Sequence, residues 1–353
     1  MKKKVLLGMS GGVDSSVAAI LLMEQGYEVI GATMKLWEDN KNSEGCGSAI
    51  ASYDAKKVCD LLKIKHYIFD LKEEFNECVI KNFINTYENA MTPNPCIQCN
   101  KHLKFNYFYK KALELGCDYI ATGHYAKIEY SEKYKQYVLK KSNAGKKDQS
   151  YVLYNIPKQM LSKVLLPLGE FENKQQIRNI ALKYELPVAE KSDSQDICFI
   201  PDNDYIRFLT KEANIKQKTG NIVYKDGKVL GKHKGLINYT IGQRKGLGIS
   251  NKTPLYVIKL DKQKNEVVVG EEIDIYSNVL NATDTNFIVD LDLSKPILVN
   301  AKVRYSALEA EAIIYSENNN LKVEFNKPQR AITKGQSVVF YLDDIVIGGG
   351  IIS

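Results

Sequence analysis

Residues 8–15 read Gly8-Met9-Ser10-Gly11-Gly12-Val13-Asp14-Ser15. An apolar run, Val5-Leu6-Leu7, precedes them, and a stretch with helical spacing of apolar residues follows from Ser15. The order is strand, glycine-rich turn, helix. Glycines let backbone N–H groups turn inward with no Cβ in the way, and a helix start adds positive partial charge. Such a turn is a cradle for an anion, phosphate above all. It is not a Walker loop, because the closing Gly-Lys-Ser/Thr is missing and an acid, Asp14, stands in the turn.

Two further stretches carry thiols. In Thr92-Pro93-Asn94-Pro95-Cys96-Ile97-Gln98-Cys99-Asn100-Lys101 the prolines stop the preceding helix and fix an extended loop. Cys96 and Cys99 form a C-x-x-C pair beside Lys101 and His102. A neighbouring cation lowers a thiol pKa, which suits a nucleophile. Half of a zinc site is the rival reading, but no second Cys or His pair completes it. The other stretch, residues 191–200, places Cys198 before Phe199-Ile200, where a buried structural cysteine is the plainer alternative. Cys46, Cys59, Cys78 and Cys117 have no such company, and Cys59 and Cys78 read as small core residues.

The elements that must position these residues alternate over the first ~200 positions. Strand patterns cover 4–8, 28–34, 66–71 and 118–122, and helix patterns 15–25, 50–62, 75–90, 105–115 and 174–184. This alternation predicts a doubly wound parallel sheet, Rossmann-like, with helices on both faces. Ligands on such sheets sit at the carboxyl ends of the strands, where the glycine turn, Met34 and Gly123-His124 would gather. From ~206 the texture becomes short and glycine-punctuated. After ~276 come the strand patterns 297–305, 310–315, 321–325, 337–342 and 345–347, with a turn at 317–320, which predicts a small antiparallel β-barrel or sandwich, the barrel preferred. The expected domains are 1–205, 206–275 and 276–353.

Bulk properties narrow the class. No apolar run approaches the ~20 residues of a membrane span. Met1-Lys2-Lys3-Lys4 leads straight into a strand with no signal-peptide core, so a cytoplasmic location is expected. Seven scattered cysteines do not make a disulfide framework. The net charge of +7 is uneven: residues 206–260 hold twelve Lys/Arg against two Asp/Glu, and residues 261–353 hold nine against fourteen. A solvated lysine face is the usual reading of such a basic run. Its interleaved Tyr224, Tyr239 and glycine turns also suit a phosphate backbone.

The string Ser10-Gly11-Gly12-Val13-Asp14-Ser15 resembles the PP-loop of the N-type ATP pyrophosphatases, which cleave ATP between the α and β phosphates and adenylate a carbonyl oxygen. The ordered set SGGVDSS, NPCIQCNK, ATGHYA, KDQSYVLY, SQDICFI, YTIGQRKGLGI, VRY and GQSVVFY resembles the tRNA-specific 2-thiouridylases, the MnmA family, in register from residue 5 to residue 352. That resemblance implies replacement of the C2 oxygen of a wobble uridine by sulfur. It implies ATP at Gly8, Met9, Ser10, Gly11, Gly12, Val13, Asp14, Ser15, Met34 and Gly123, with Mg2+. It implies Cys99 as nucleophile and Cys198 as persulfide carrier. Asn94, Pro95 and Cys96 match the segment that meets the target base. His124, Lys147, Asp148, Gln149, Arg304, Tyr305 and Gln336 match tRNA-contacting positions. The partners implied are tRNA and a sulfur donor, a cysteine desulfurase or sulfur-relay protein. Relatives carry Asp or Cys at the position of Cys96. An iron–sulfur cluster on Cys96, Cys99 and Cys198 is therefore the alternative to a cluster-free site.

The chemistry asks for such residues. A uridine C2 carbonyl is amide-like, and adenylation turns its oxygen into a leaving group. A persulfide on Cys198 then delivers sulfur, and attack by Cys99 on the sulfur bridge releases thiouridine. Two other readings remain: a different PP-loop adenylating ligase, which needs neither cysteine nor RNA, and a non-catalytic RNA-binding protein of the same fold.

Overall fold

The computed structural model describes residues 2–37, 48–192, 197–317 and 320–353. Cys46, residues 193–196 ahead of Cys198 and the turn residues Asn318 and Asn319 lie outside them.

The first half of the chain holds β1 (Lys4–Gly8), β2 (Glu28–Lys35), β3 (Lys65–Asp70), β4 (Tyr119–Ala121), β5 (Lys127–Ser131), β6 (Gln136–Lys140) and β7 (Val164–Leu165). Five of these form a parallel sheet in the order β3-β2-β1-β4-β7. The chain builds outward one way from β1 and then the other, so the switch point lies between β1 and β4. Val5, Leu6 and Leu7 are wholly buried, as in a strand covered on both faces. Leu6 joins one apolar cluster with Phe75, Val79, Phe83, Tyr87, Leu103 and Phe108. Val5 and Leu7 join the other, with Val17, Leu22, Val58 and Ile177. The alternation follows from the two-residue period of a strand. α1 (Val13–Glu24) and α2 (Ala49–Leu61) cover the second face. The helical runs 72–88 and 95–114 cover the first with four-residue apolar spacing at Phe75, Val79, Phe83 and Tyr87.

The C-x-x-C pair does not lie in an extended loop. Pro95 is the first residue of helix Pro95–Gln98, and Asn94 caps it by accepting from the Ile97 N–H at 3.3 Å. A proline at the first helical position loses no hydrogen bond, since that N–H has no intrahelical partner anyway. The helix then widens: Cys99–Tyr107 winds with i→i+5 turns, and Phe105 leaves helical geometry at φ −104°, ψ 16°. Such bulges absorb an extra residue and recur at functional sites.

The central segment forms a four-stranded sheet of β8 (Gly220–Tyr224), β9 (Val229–His233), β10 (Tyr256–Asp261) and β11 (Glu266–Gly270), in the order β10-β11-β8-β9. It has its own apolar cluster around Ile222, Leu255, Val257 and Val267. The last segment contains β12 (Tyr276–Phe287), β13 (Ile297–Lys302), β14 (Ala310–Glu317), β15 (Asn320–Arg330), β16 (Ser337–Leu342) and β17 (Ile345–Ile352). They pair antiparallel in the order β12-β15-β14-β13-β16-β17, and β12 also pairs with β17. The sheet closes into a six-stranded barrel. The overall class is α/β with a C-terminal antiparallel barrel, as the strand and helix patterns predict.

Several elements depart from those patterns. β12 is twelve residues long, yet its polar sequence, Tyr276-Ser277-Asn278-Val279-Leu280-Asn281, gave no strand signal. The β5–β6 hairpin was also unforeseen. It joins the barrel rather than the parallel sheet: Val346 of β17 pairs with Leu139 of β6. β7 is only two residues long.

Candidate nucleotide and thiol site

The turn after β1 is held from three sides. Met9 N donates to Ala32 O of β2 at 2.8 Å, and Thr33 Oγ1 donates to Met9 O at 2.9 Å. Within the turn, Ser10 N donates to Ser15 Oγ at 3.1 Å and Ser16 Oγ to Gly12 O at 2.9 Å. Gly11 has φ +69°, and a Cβ there would lie 2.3 Å from Ala51 O, so the turn sits directly on α2. Gly123 follows β4 and abuts α1, where a Cβ would lie 2.9 Å from Ser15 N. The structure thus brings Gly8 through Ser15 and Gly123 together at the switch point, with Met34 buried at the end of β2.

Asp14 is the charged centre of this turn. Its Oδ1 accepts from Tyr125 OH at 2.6 Å and its Oδ2 from Lys174 Nζ at 2.6 Å. Lys191 Nζ donates to Gly11 O at 3.1 Å and to Asp54 Oδ2 at 2.6 Å. None of Tyr125, Lys174, Lys191 and Asp54 was singled out from the sequence. Tyr125 and Lys191 lie inside motifs that were, whereas Lys174 stands 160 residues from its partner with no local signal.

Cys99 is buried, Cys96 exposed and Cys198 half-buried. Cys99 belongs to the apolar cluster on the first face of the sheet, and Cys198 packs against the same cluster. The Cys198 turn is anchored by Phe199, whose ring meets Phe75, Phe83 and Phe208 edge-on at centroid distances of 5.6, 5.3 and 5.4 Å. Asn100 Nδ2 donates to Val152 O at 2.8 Å and ties the helix of Cys99 to the 150–153 turn. Lys101, the expected cationic neighbour, is engaged elsewhere: its Nζ meets Asp284 Oδ2 of β12 at 2.8 Å. Burial, with Lys101 nearby, pushes the His102 imidazole below its ordinary pKa. Cys59 is a core residue whose thiol burial, reinforced by Asp60, pushes up to about 12.

Of the positions matched to tRNA contacts, Gln336 and Tyr305 lie near the segment that carries Cys96. Gln336 Nε2 donates to Thr92 O at 3.2 Å and Pro93 O at 2.9 Å, so a barrel residue fixes the Pro93–Cys96 approach. Tyr305 meets the Tyr151 ring edge-on at 6.1 Å. Burial first, then Asp148, raises the Tyr305 phenol pKa; Lys147 opposes this and Cys96 adds to it. Burial first raises the Tyr151 phenol pKa, and the nearby Arg304 charge works against it. Lys302, half-buried and unforeseen, lies 5.9 Å over both tyrosine rings, and burial lowers its pKa. Asp148 accepts from Ser142 N at 2.8 Å and Ser150 Oγ at 2.6 Å. Gln149 braces the backbone of Tyr125, accepting from its N–H at 2.9 Å and donating to its carbonyl at 2.7 Å. His124 stands apart, beside the nucleotide turn. Burial, with Lys104 beside it, holds its imidazole well below the ordinary range. The neutral ring meets Thr122 Oγ1 at 2.7 Å through Nδ1 and Lys104 Nζ at 3.4 Å through Nε2.

Among the described residues no three His, Cys, Asp or Glu side chains come together in a way that could hold a metal ion. Cys96, Cys99 and Cys198, all among the described residues, do not form such a group. No helix of the described residues is long and apolar enough to cross a membrane.

Three family profiles match in succession: tRNA methyl transferase HUP domain over 3–202, tRNA methyl transferase PRC-barrel domain over 207–271 and Aminomethyltransferase beta-barrel domain over 277–352. Full-length relatives are similar throughout. A tRNA-specific 2-thiouridylase MnmA of Caldicellulosiruptor saccharolyticus is 54% identical, with 100% of this chain and 99% of the relative covered. Those of Acetivibrio thermocellus and Clostridioides difficile are each 51% identical, covering 99% and 100% of this chain and 99% and 98% of theirs.

Proposed function

Because the chain belongs to the tRNA-specific 2-thiouridylase family, we propose that it is the ATP-dependent enzyme that puts sulfur at C2 of a tRNA wobble uridine. The observation that carries this reading is the glycine turn with Asp14 at the sheet's switch point, together with two cysteines on one apolar cluster beside it. The anticodon-loop base enters past Asn94, Pro95 and Cys96, just after the Thr92 and Pro93 carbonyls that Gln336 holds. Bases in such loops are splayed and easily extracted. The turn holds ATP, and the uridine C2 oxygen bonds to the α-phosphorus as pyrophosphate leaves and the N3 proton passes to solvent. The terminal sulfur of a Cys198 persulfide then attacks C2, and AMP departs. Cys99 attacks the Cys198 sulfur of the resulting bridge. That step releases 2-thiouridine and leaves a Cys99–Cys198 disulfide, so a thiol reductant is needed for the next turnover. The persulfide is loaded by a cysteine desulfurase or a sulfur-relay protein.

Magnesium is held mainly by substrate phosphates plus one or two carboxylates, and Asp14 is the carboxylate placed for that here. Bound there, the ion would offset phosphate charge as the bond breaks.

The profile descriptions speak of methyl transfer, and that is the second reading. The residues favour sulfur: a loop with an acid suited to nucleotide and two cysteines serve adenylation and sulfur relay. The test is mass spectrometry of tRNA after incubation with enzyme, ATP, magnesium and a persulfide source. A gain of one sulfur for one oxygen at the wobble uridine is expected. A methyl gain with S-adenosylmethionine, and no sulfur gain, would reverse the choice.

The central segment offers the tRNA backbone a basic face. Arg244 and Lys245 are exposed, and Arg244 lines a cavity of about 410 Å³ together with residues 246–255. Gly242, Gly246 and Gly248 adopt φ +84°, +77° and +67° around them, so the loop presents little side-chain bulk to a close-approaching strand. Each phosphate neutralised contributes about −0.9 to the slope of log K against log salt on a duplex. Replacing Arg244 and Lys245 together by Ala is expected to flatten that slope by about one to two units and to leave ATP affinity alone. An unchanged slope would make the pair a solvated face.

A further inference from the structure

The glycine turn lacks the lysine that Walker loops carry, yet two ammonium groups reach it from distant segments. Lys174 opens helix Lys174–Lys183, directly after its Asn173 cap. A cation there opposes the helix dipole, so helix stability does not explain its place. Its Nζ extends across to Asp14, and its side chain is only 14% exposed. Lys191 lies just beyond the same helix, and Arg178 of that helix donates to its carbonyl at 3.1 Å. Its Nζ rests between the Gly11 carbonyl and the Asp54 carboxylate. Ile177 and Ala181 pack this helix into the apolar cluster that also holds α1. This helix and the segment that follows it thus bring two cations to the turn, at Asp14 and at Gly11.

We propose that Lys174 and Lys191 are the groups that hold the β- and γ-phosphates of the nucleotide and take up the charge of the departing pyrophosphate. This deepens the adenylation reading and rests on it. When the C2 oxygen bonds to the α-phosphorus, the bond from that phosphorus to the bridging oxygen breaks. Its electron pair stays on the leaving oxygen, and both ammoniums keep their protons. Asp14 and Asp54 hold the two lysines in register until phosphate oxygens take their place. The chain therefore supplies in space what its loop lacks in sequence. A purely structural role would make each lysine a counter-charge for its aspartate and nothing more.

The two roles separate by calorimetric binding of ATP, inorganic pyrophosphate and AMP to the full chain, with AMP formation measured alongside. Lys174→Gln and Lys191→Gln are each expected to lower ATP and pyrophosphate affinity at least ~10-fold, leave AMP affinity within about twofold and slow AMP formation by ~10²-fold. Lys174→Arg, which keeps the charge, is expected to retain most pyrophosphate affinity. Equal losses for AMP and pyrophosphate, or no loss for either, would overturn the proposal. So would recovery of pyrophosphate affinity when Asp14→Asn is added to Lys174→Gln, because that is the signature of a simple counter-charge. If the wild type gives ADP rather than AMP, the adenylation reading fails, and the comparison of pyrophosphate with AMP still decides what the lysines hold.

Discussion

Cys198→Ser abolishes sulfur transfer to tRNA, while pyrophosphate is still released from ATP in the presence of tRNA and adenylated tRNA accumulates. Serine fills the same space, and Phe199 keeps the turn seated against Phe75, Phe83 and Phe208, so the fold has little reason to change. What is lost is the sulfur that can carry a second sulfur. Cys99→Ser gives a different failure. Sulfur still reaches C2, but nothing resolves the bridge, so enzyme and tRNA accumulate as an adduct that a thiol reductant cleaves. Denaturing gels with and without reductant, beside mass spectrometry of the tRNA, read both outcomes. Normal thiolation by either variant would remove that cysteine from the mechanism. Cys59→Ser is the control: its thiol is buried against Gly31 of β2, so the change costs about 1–3 kcal/mol of stability rather than chemistry.

Asp14→Ala slows formation of AMP and pyrophosphate by ~10²-fold or more, the usual cost of losing one preorganised electrostatic group at a reacting centre. Two contacts go at once, with Tyr125 OH and with Lys174 Nζ. Asp14→Asn keeps an acceptor for Tyr125 but removes the charge. It therefore separates orientation from electrostatics: an activity near that of Asp14→Ala assigns the effect to charge. Product analysis by chromatography checks the reaction class at the same time. ADP with phosphate as the main products would reject α–β cleavage.

Most of the parallel sheet was legible because its strands are short apolar runs set between helical patterns, and β1 falls at Lys4–Gly8 in both sequence and structure. The nucleotide turn was legible for the same reason, since its geometry is local. What escaped depends on partners far along the chain. Lys174 gains its meaning only through Asp14, and Gln336 only through the Pro93 carbonyl. β12 is a strand because β15 and β17 flank it, and it buries little more than Leu280 and Ala282. The prolines around Cys96 were read as loop formers, and Pro95 instead starts a helix, because a proline serves both roles until its neighbours decide.

The β5–β6 hairpin has a consequence for how the chain holds together. Its edge is completed by β17, the last strand, while its root belongs to the nucleotide-binding half. Tyr151 and Tyr154, from that same half, bond Ser337 of β16. Cutting the chain ahead of the barrel would strip β6 of its neighbour and bare two buried tyrosines, leaving an unpaired apolar edge of the kind that seeds aggregation. The barrel is thus no cassette that could be removed or exchanged at a linker. Head and tail of the polypeptide share one unit of cooperative unfolding, and a nascent chain cannot finish its first half until the last strand has been made.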